Sequence, residues 1–177
     1  MIKCIYIAGP DVFRPTAKAL GTAKKKLCSE FGYSGLFPLD NELALEPLTP
    51  FNAGLEIYHA NIDLMNQADC IIANMTPFRG AGMDQGTAFE MGYMAAQQKP
   101  VWGYTLSKKN YATRINQPSP GQDENGHIVE QFDMSDNLMM VGSTTPKGGV
   151  MQLLGDDLDD ESHLNAFRHV LEAISQL

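Results

Sequence analysis

The run Cys70-Ile71-Ile72-Ala73-Asn74-Met75 constrains the fold of this chain more than any other stretch. Nearly unbroken apolar character over six residues fits a strand covered on both faces, and such strands belong to parallel sheets with helices above and below. Other segments repeat the theme. Ile2 to Ala8 reads as a buried strand closed by Gly9-Pro10-Asp11. Gly32 to Leu39 reads as a turn and a short strand ending at Pro38, and Val101-Trp102-Gly103-Tyr104 as a fourth strand. Between them, Pro15 to Phe31, Asn52 to Gln67 and Thr87 to Gln98 read as helices. The first carries Ala19, Leu20, Ala23 and Leu27 at helical spacing, the second Leu55, Tyr58, Ile62 and Met65. Leu138 to Val141 is expected to add a fifth strand. A last helix is marked by Leu164, Phe167, Leu171 and Ile174, with Ser162 as its cap.

Strand and helix alternate throughout, so the expected class is α/β: a three-layer, doubly wound domain with a mostly parallel, five-stranded sheet, flavodoxin-like or Rossmann-like. The 177 residues are expected to form one such domain. Leu106 to Ser135, with Pro118, Pro120, Gly121 and Gly126 among polar residues, reads as a long loop: a lid, a binding loop or a disordered segment.

Charge narrows the ligands. The chain has 13 Lys and Arg against 21 Asp and Glu, a net −8, and its only basic run is Lys24-Lys25-Lys26. Such a surface repels a polyanion, which argues against nucleic-acid binding and leaves a small neutral ligand acceptable. Met1 to Ala8 is too short an apolar stretch to span a membrane, and no secretion signal follows it, so a cytoplasmic location is expected. Cys4, Cys28 and Cys70 form an odd, unpaired set of reduced residues, and the four histidines lack metal spacing; no metal or cofactor is expected. His163 and His169 read as part of a polar-flanked terminal helix. The glycines at 80, 82 and 86 are not followed by the lysine of a phosphate loop, and no Gly-x-Ser-x-Gly elbow is present.

In a doubly wound sheet, ligands bind beyond the carboxyl ends of the strands. Gly9-Pro10-Asp11, Asp40-Asn41-Glu42 and Gly80 to Asp84 all fall on that rim, so Tyr6, Asp11, Asp84 and Glu90 are expected to surround one pocket. Asp84 and Glu90 lie about 240° apart in helical phase, and they can cooperate only if Asp84 lies in the loop or cap. With Gly86 opening the helix, Glu90 falls in or just beyond the first turn, where free N–H groups favour an ionised carboxylate. Such a carboxylate can attack an anomeric carbon. The plainer alternative makes Asp84 an N-cap and Glu90 a solvent-facing acid. Glu56, His59 and Asp63 share one helical side, which a solvated face also explains.

The ordered set Ile5-Tyr6-Ile7-Ala8-Gly9-Pro10-Asp11-Val12-Phe13, Pro38-Leu39-Asp40-Asn41, Asn61-Ile62-Asp63-Leu64, Asp84 through Gly92 and Ser135-Asp136-Asn137 resembles the nucleoside 2-deoxyribosyltransferase family. The resemblance implies transfer of a 2-deoxyribosyl group between nucleobases through a covalent glycosyl-enzyme. Glu90 would be the nucleophile, Asp84 and Asp63 would handle protons and the base, and Tyr6 would orient Glu90. Gly9, Asp11, Phe13, Asp40, Glu42 and Gly86 would line the substrate site. The resemblance further implies a deoxynucleoside and a free nucleobase as ligands, and a homo-oligomer such as a hexamer. Its sites would be shared, with Asn137 crossing to the sugar 5'-hydroxyl. Glu42 stands where some members have glutamine, so base recognition through an amide does not transfer.

Three other accounts compete. A deoxynucleoside or deoxynucleoside 5'-monophosphate N-glycosidase would need phosphate or water contacts, for which Arg14 and Arg79 are the available cations. A nucleotide-binding module would dispense with a reactive Glu90, and an oligomeric scaffold with any chemistry.

Overall fold

The computed structural model describes residues 2–144, 148–153 and 159–176. Five strands, β1 (Cys4–Ala8), β2 (Ser34–Leu36), β3 (Cys70–Asn74), β4 (Val101–Thr105) and β5 (Gly149–Gln152), form one sheet in the order β2-β1-β3-β4-β5. Every pairing is parallel. Helices α1 (Ala17–Glu30) and α6 (Asp160–Ser175) cover one face, while α2 (Pro50–Gln67), α3 (Gln85–Ala96) and the short α5 (Leu138–Ser143) lie on the other. The α/β class and the mostly parallel five-stranded sheet are as read from the sequence.

Strand alternation divides the core. Ile5, Ile7, Cys70, Ile72, Trp102 and Tyr104 pack with α1 and α6. Tyr6, Ala8, Ile71, Ala73 and Val101 pack with Leu64, Met65, Met91 and Met94 of α2 and α3. This two-residue period sends neighbours such as Ile5 and Tyr6 to opposite layers.

Two sequence readings are corrected. Leu138 to Val141 is the start of helix α5, not a strand, because Asn137 caps it by accepting from Met139 N–H at 3.0 Å. Four apolar residues cannot distinguish a strand from a buried helical turn. The fifth strand is instead Gly149–Gln152, half-buried at the sheet edge. Helix α6 is capped by Asp159, whose carboxylate accepts from Ser162 N–H at 2.8 Å; Ser162 lies inside the helix. The long loop contains α4 (Tyr111–Arg114) and a small antiparallel turn bridging Ser119, Gln122 and Ile128.

Helix α2 departs from its amphipathic reading. Its C-terminal turn buries Leu64 and Met65, but Leu55 and Tyr58, on the stripe expected to face the core, are exposed along with Phe51 and Ile57.

Candidate active site

Tyr6 leaves β1 toward α3 and is fully buried, and its hydroxyl donates to Glu90 Oε1 at 2.6 Å. Burial and the facing carboxylate both push the Tyr6 phenol upward, so it stays protonated and donates. Glu90 is the sixth residue of α3, one turn deeper than the free N–H groups at the helix start. Its carboxyl is pushed up to about 7, chiefly by desolvation and further by the nearby Asp84 charge, while the Tyr6 hydrogen bond pulls it down. The expectation that the helix end would hold Glu90 ionised is therefore corrected: burial outweighs the dipole at this depth.

Asp84 is the N-cap of α3. Its Oδ2 accepts from both the backbone N–H and the hydroxyl of Thr87, each at 2.8 Å. It also borders a cavity of about 300 Å³ lined by Phe78, Arg79, Met83 and Gln85. Phe13, just outside β1, stacks on Phe78 with centroids 5.3 Å apart, and the Arg79 guanidinium lies over both rings. Phe78 and Arg79 give the cavity an aromatic and cationic part beside the Asp84 carboxylate, chemistry suited to a flat heteroaromatic ring; Tyr6 and Glu90 are not among its lining residues.

Other predicted residues lie elsewhere. Asp11 is 1% exposed and belongs to the opposite layer, where it pairs with Lys24 Nζ at 2.7 Å and accepts from Asn74 Nδ2 at 3.1 Å. Burial would raise its pKa, but Lys24, His163 and Asn74 bring it below the ordinary carboxylate value. Asp40 accepts from Phe37 N–H and pairs with Lys25, which fixes the turn after β2. Glu42 is exposed beyond that turn, and Asp63, Glu56 and His59 lie exposed along α2. Gly86 is the second residue of α3, close against Asp84. Asn137 donates to both oxygens of Glu130 at 3.1 Å within its own chain. Gly9 has a steric cause: its φ is +146°, and a Cβ there would fall 2.6 Å from the Asn74 Cβ.

The buried cluster around Asp11 escaped the sequence reading. Lys24 Nζ also donates to Tyr104 Oη at 2.9 Å, and Asn74 Nδ2 lies 3.2 Å from His163 Nδ1. His163 is buried, contrary to its expected place on a polar helix face, and desolvation pushes its pKa down to about 4. Lys24 continues the Leu20 and Leu27 stripe of α1, which was the available sign that it points inward.

A doubly wound parallel sheet with a half-buried, Tyr-supported glutamate and a capping aspartate is the arrangement of a small-molecule site at the sheet's carboxyl rim. The chain belongs to the nucleoside 2-deoxyribosyltransferase family, whose model matches residues 5–139. Its activity is of the 2-deoxyribosyl transfer type that defines this family. The solved structure of a 2-desoxiribosyltransferase from Leishmania mexicana is similar at 30% identity, covering 96% of this chain and 97% of that one, with a TM-score of 0.69. An uncharacterized Schizosaccharomyces pombe protein is 30% identical over 98% of this chain and 89% of its own length. The 2-deoxyribosyltransferase of Bacillus psychrosaccharolyticus shares the fold at 17% identity and a TM-score of 0.54, covering 92% and 90% of the two chains. Among the described residues, no helix is long and apolar enough to cross a membrane.

Proposed function

We propose that the chain transfers a 2-deoxyribosyl group between nucleobases through a covalent intermediate on Glu90. The observation that carries this reading is the 2.6 Å hydrogen bond from Tyr6 to Glu90, a half-buried carboxylate held by a phenol near the sheet's carboxyl rim. In the first step a Glu90 carboxylate oxygen bonds to C1' as the C1'–N bond breaks. The bond's electron pair leaves with the base, which takes a proton from Asp84, with Asp63 as the second candidate. In the second step a nitrogen of the incoming base attacks C1', Glu90 departs as carboxylate, and the acceptor's proton returns to the aspartate. Water in place of the second base gives hydrolysis.

A carboxyl near 7 suits this cycle. It is about half ionised at neutral pH, and as a stronger base than an exposed glutamate its carboxylate is the better nucleophile in the first step. Phe13, Phe78 and Arg79 would hold the base against Asp84.

The working unit in this reading is a homo-oligomer. Phe51 is 74% and Phe89 51% exposed, and Tyr58 packs on Phe89, so α2 and α3 present a joined apolar face that a second copy would cover. Asn137 would reach the sugar 5'-hydroxyl of a neighbouring site by exchanging its contact with Glu130.

The test is incubation with a 2'-deoxynucleoside without acceptor, followed by intact-protein mass measurement and peptide mapping. A deoxyribosyl adduct on Glu90, discharged by added base, is expected. Base release without any adduct would refute the covalent step, and strong preference for the 5'-monophosphate would refute the substrate assignment.

A further inference from the structure

Asp136, the middle residue of Ser135-Asp136-Asn137, has no part in the mechanism above, yet it is 3% exposed. Few charged groups in the described residues are so deeply placed, and a buried charge persists only where partners fix it. Asp136 Oδ1 accepts from Asn137 N–H at 2.8 Å, and Oδ2 accepts from Arg114 Nη2 at 2.8 Å. Arg114 is itself nearly enclosed and also donates to the Lys109 carbonyl at 3.0 Å. Burial raises the Asp136 pKa above the ordinary carboxylate value, against the pull of the Asn137 backbone N–H, Arg114 and the Met83 backbone N–H, which favour its charge. The loop before α3 passes so close that a Cβ on Gly82 would lie 3.6 Å from Asp136 Oδ1.

Three segments therefore meet on one carboxylate: α4 of the long loop, the N-terminus of α5, and the Gly82-Met83 stretch that delivers Asp84. We infer that Asp136 is a positioning residue for Asp84, with Arg114 as its counter-charge, holding the loop so that the Asp84 carboxyl meets the leaving base. The inference rests on the glycosyl-transfer reading. General-acid help requires hydrogen-bond reach, and a shift of about 1 Å at the reacting groups can cost on the order of 100-fold in rate. Asp136 touches no substrate; its effect passes through the backbone at Met83.

The experiment compares wild type, D136N, D84N and D84N/D136N on two deoxynucleosides, one with an ordinary base and one whose base departs readily without a proton. D136N should lower kcat for the ordinary base by about 10- to 100-fold with KM little changed. The activated substrate should lose far less, because it has no need of the acid. In the D84N background, D136N should add no more than about a twofold loss, since both changes disable the same function. If D136N fails to fold because Arg114 is left uncompensated, D136N/R114Q, which removes both charges, takes its place in the comparison. Equal losses on the two substrates, or losses that multiply in the double variant, overturn the inference alone. A wild-type protein that releases neither base overturns the glycosyl-transfer reading and this inference with it.

Discussion

Replacing Tyr6 by Phe removes one oxygen and leaves the ring in its packed place between β1 and α3. The hydroxyl is the donor that pulls the Glu90 carboxyl down against desolvation. A hydrogen bond to a charged group is worth about 1.5–3 kcal/mol, and one pKa unit about 1.4 kcal/mol, so Glu90 should rise by about 1 to 2 units. The sign is set by which form the phenol favours: it donates to the carboxylate, and its loss favours the protonated acid. From a starting value of about 7, the acidic limb of kcat/KM should move toward alkaline pH. At pH 7 the ionised fraction falls from about a half to about a tenth or a hundredth, a loss of about 5- to 50-fold in kcat/KM. Steady-state rates of base release across pH 5 to 10 measure it, and most of the loss should vanish at the alkaline end. A limb that stays near 7, or moves to acid, would refute the reasoning. An equal loss at every pH would show that Tyr6 acts on the transition state instead.

Four further outcomes are expected. Glu90→Gln should abolish both the adduct and transfer, by several orders of magnitude in rate, and near-parental transfer would remove Glu90 from the nucleophile's role. The same variant should be more stable above pH 7: the native state binds the Glu90 proton more tightly than the unfolded chain, so the wild type loses stability as pH rises from 4.5 to about 7. That loss is up to about 3 kcal/mol, and thermal melts of the two proteins should coincide at pH 4 and separate by several degrees at pH 8. Asp84→Asn keeps an acceptor for the Thr87 N–H, so it should cost less than about 1 kcal/mol of stability while slowing release of poor leaving bases, as paired melting and kinetic runs would show. Phe51→Glu combined with Leu55→Glu should lower the mass seen by light scattering if α2 is an interface, and an unchanged mass would place the contact elsewhere.

The layers were legible because the strands announce themselves: a run such as Cys70 to Met75 has only one economical environment, and the helical stripes of α1 and α6 point to the same sheet. The place of Asp84 in the cap of α3 was legible from spacing, in the site reading and in the plainer one alike. Tertiary placement was not. Asp11 shares the carboxyl rim with Tyr6, but its side chain is drawn into the opposite layer by Lys24 and Asn74, partners that no local pattern links to it. Burial of Glu90 likewise depends on neighbours from β1 and the loop before α3, so its raised pKa could not follow from helix position. The α2 stripe misled because periodicity reports an apolar face without saying what covers it. Asp136 passed unnoticed because a turn-like Ser-Asp-Asn triplet gives no sign that its middle carboxylate meets an arginine 22 residues earlier.

The division of β1 between two layers would make the proposed function sensitive to parity. Ile5 and Ile7 anchor α1 and α6, while Tyr6, between them, is the residue that reaches Glu90. Inserting or deleting one residue between Ala8 and the start of the strand would leave the segment's apolar content almost untouched. It would nonetheless exchange every inward side chain for its neighbour, turning the phenol toward α1 and presenting isoleucine to the carboxylate. Two such changes together would restore the phase. A library of single and paired length changes in this strand should therefore alternate between inactive and active members, with the count of residues, more than their chemistry, deciding which.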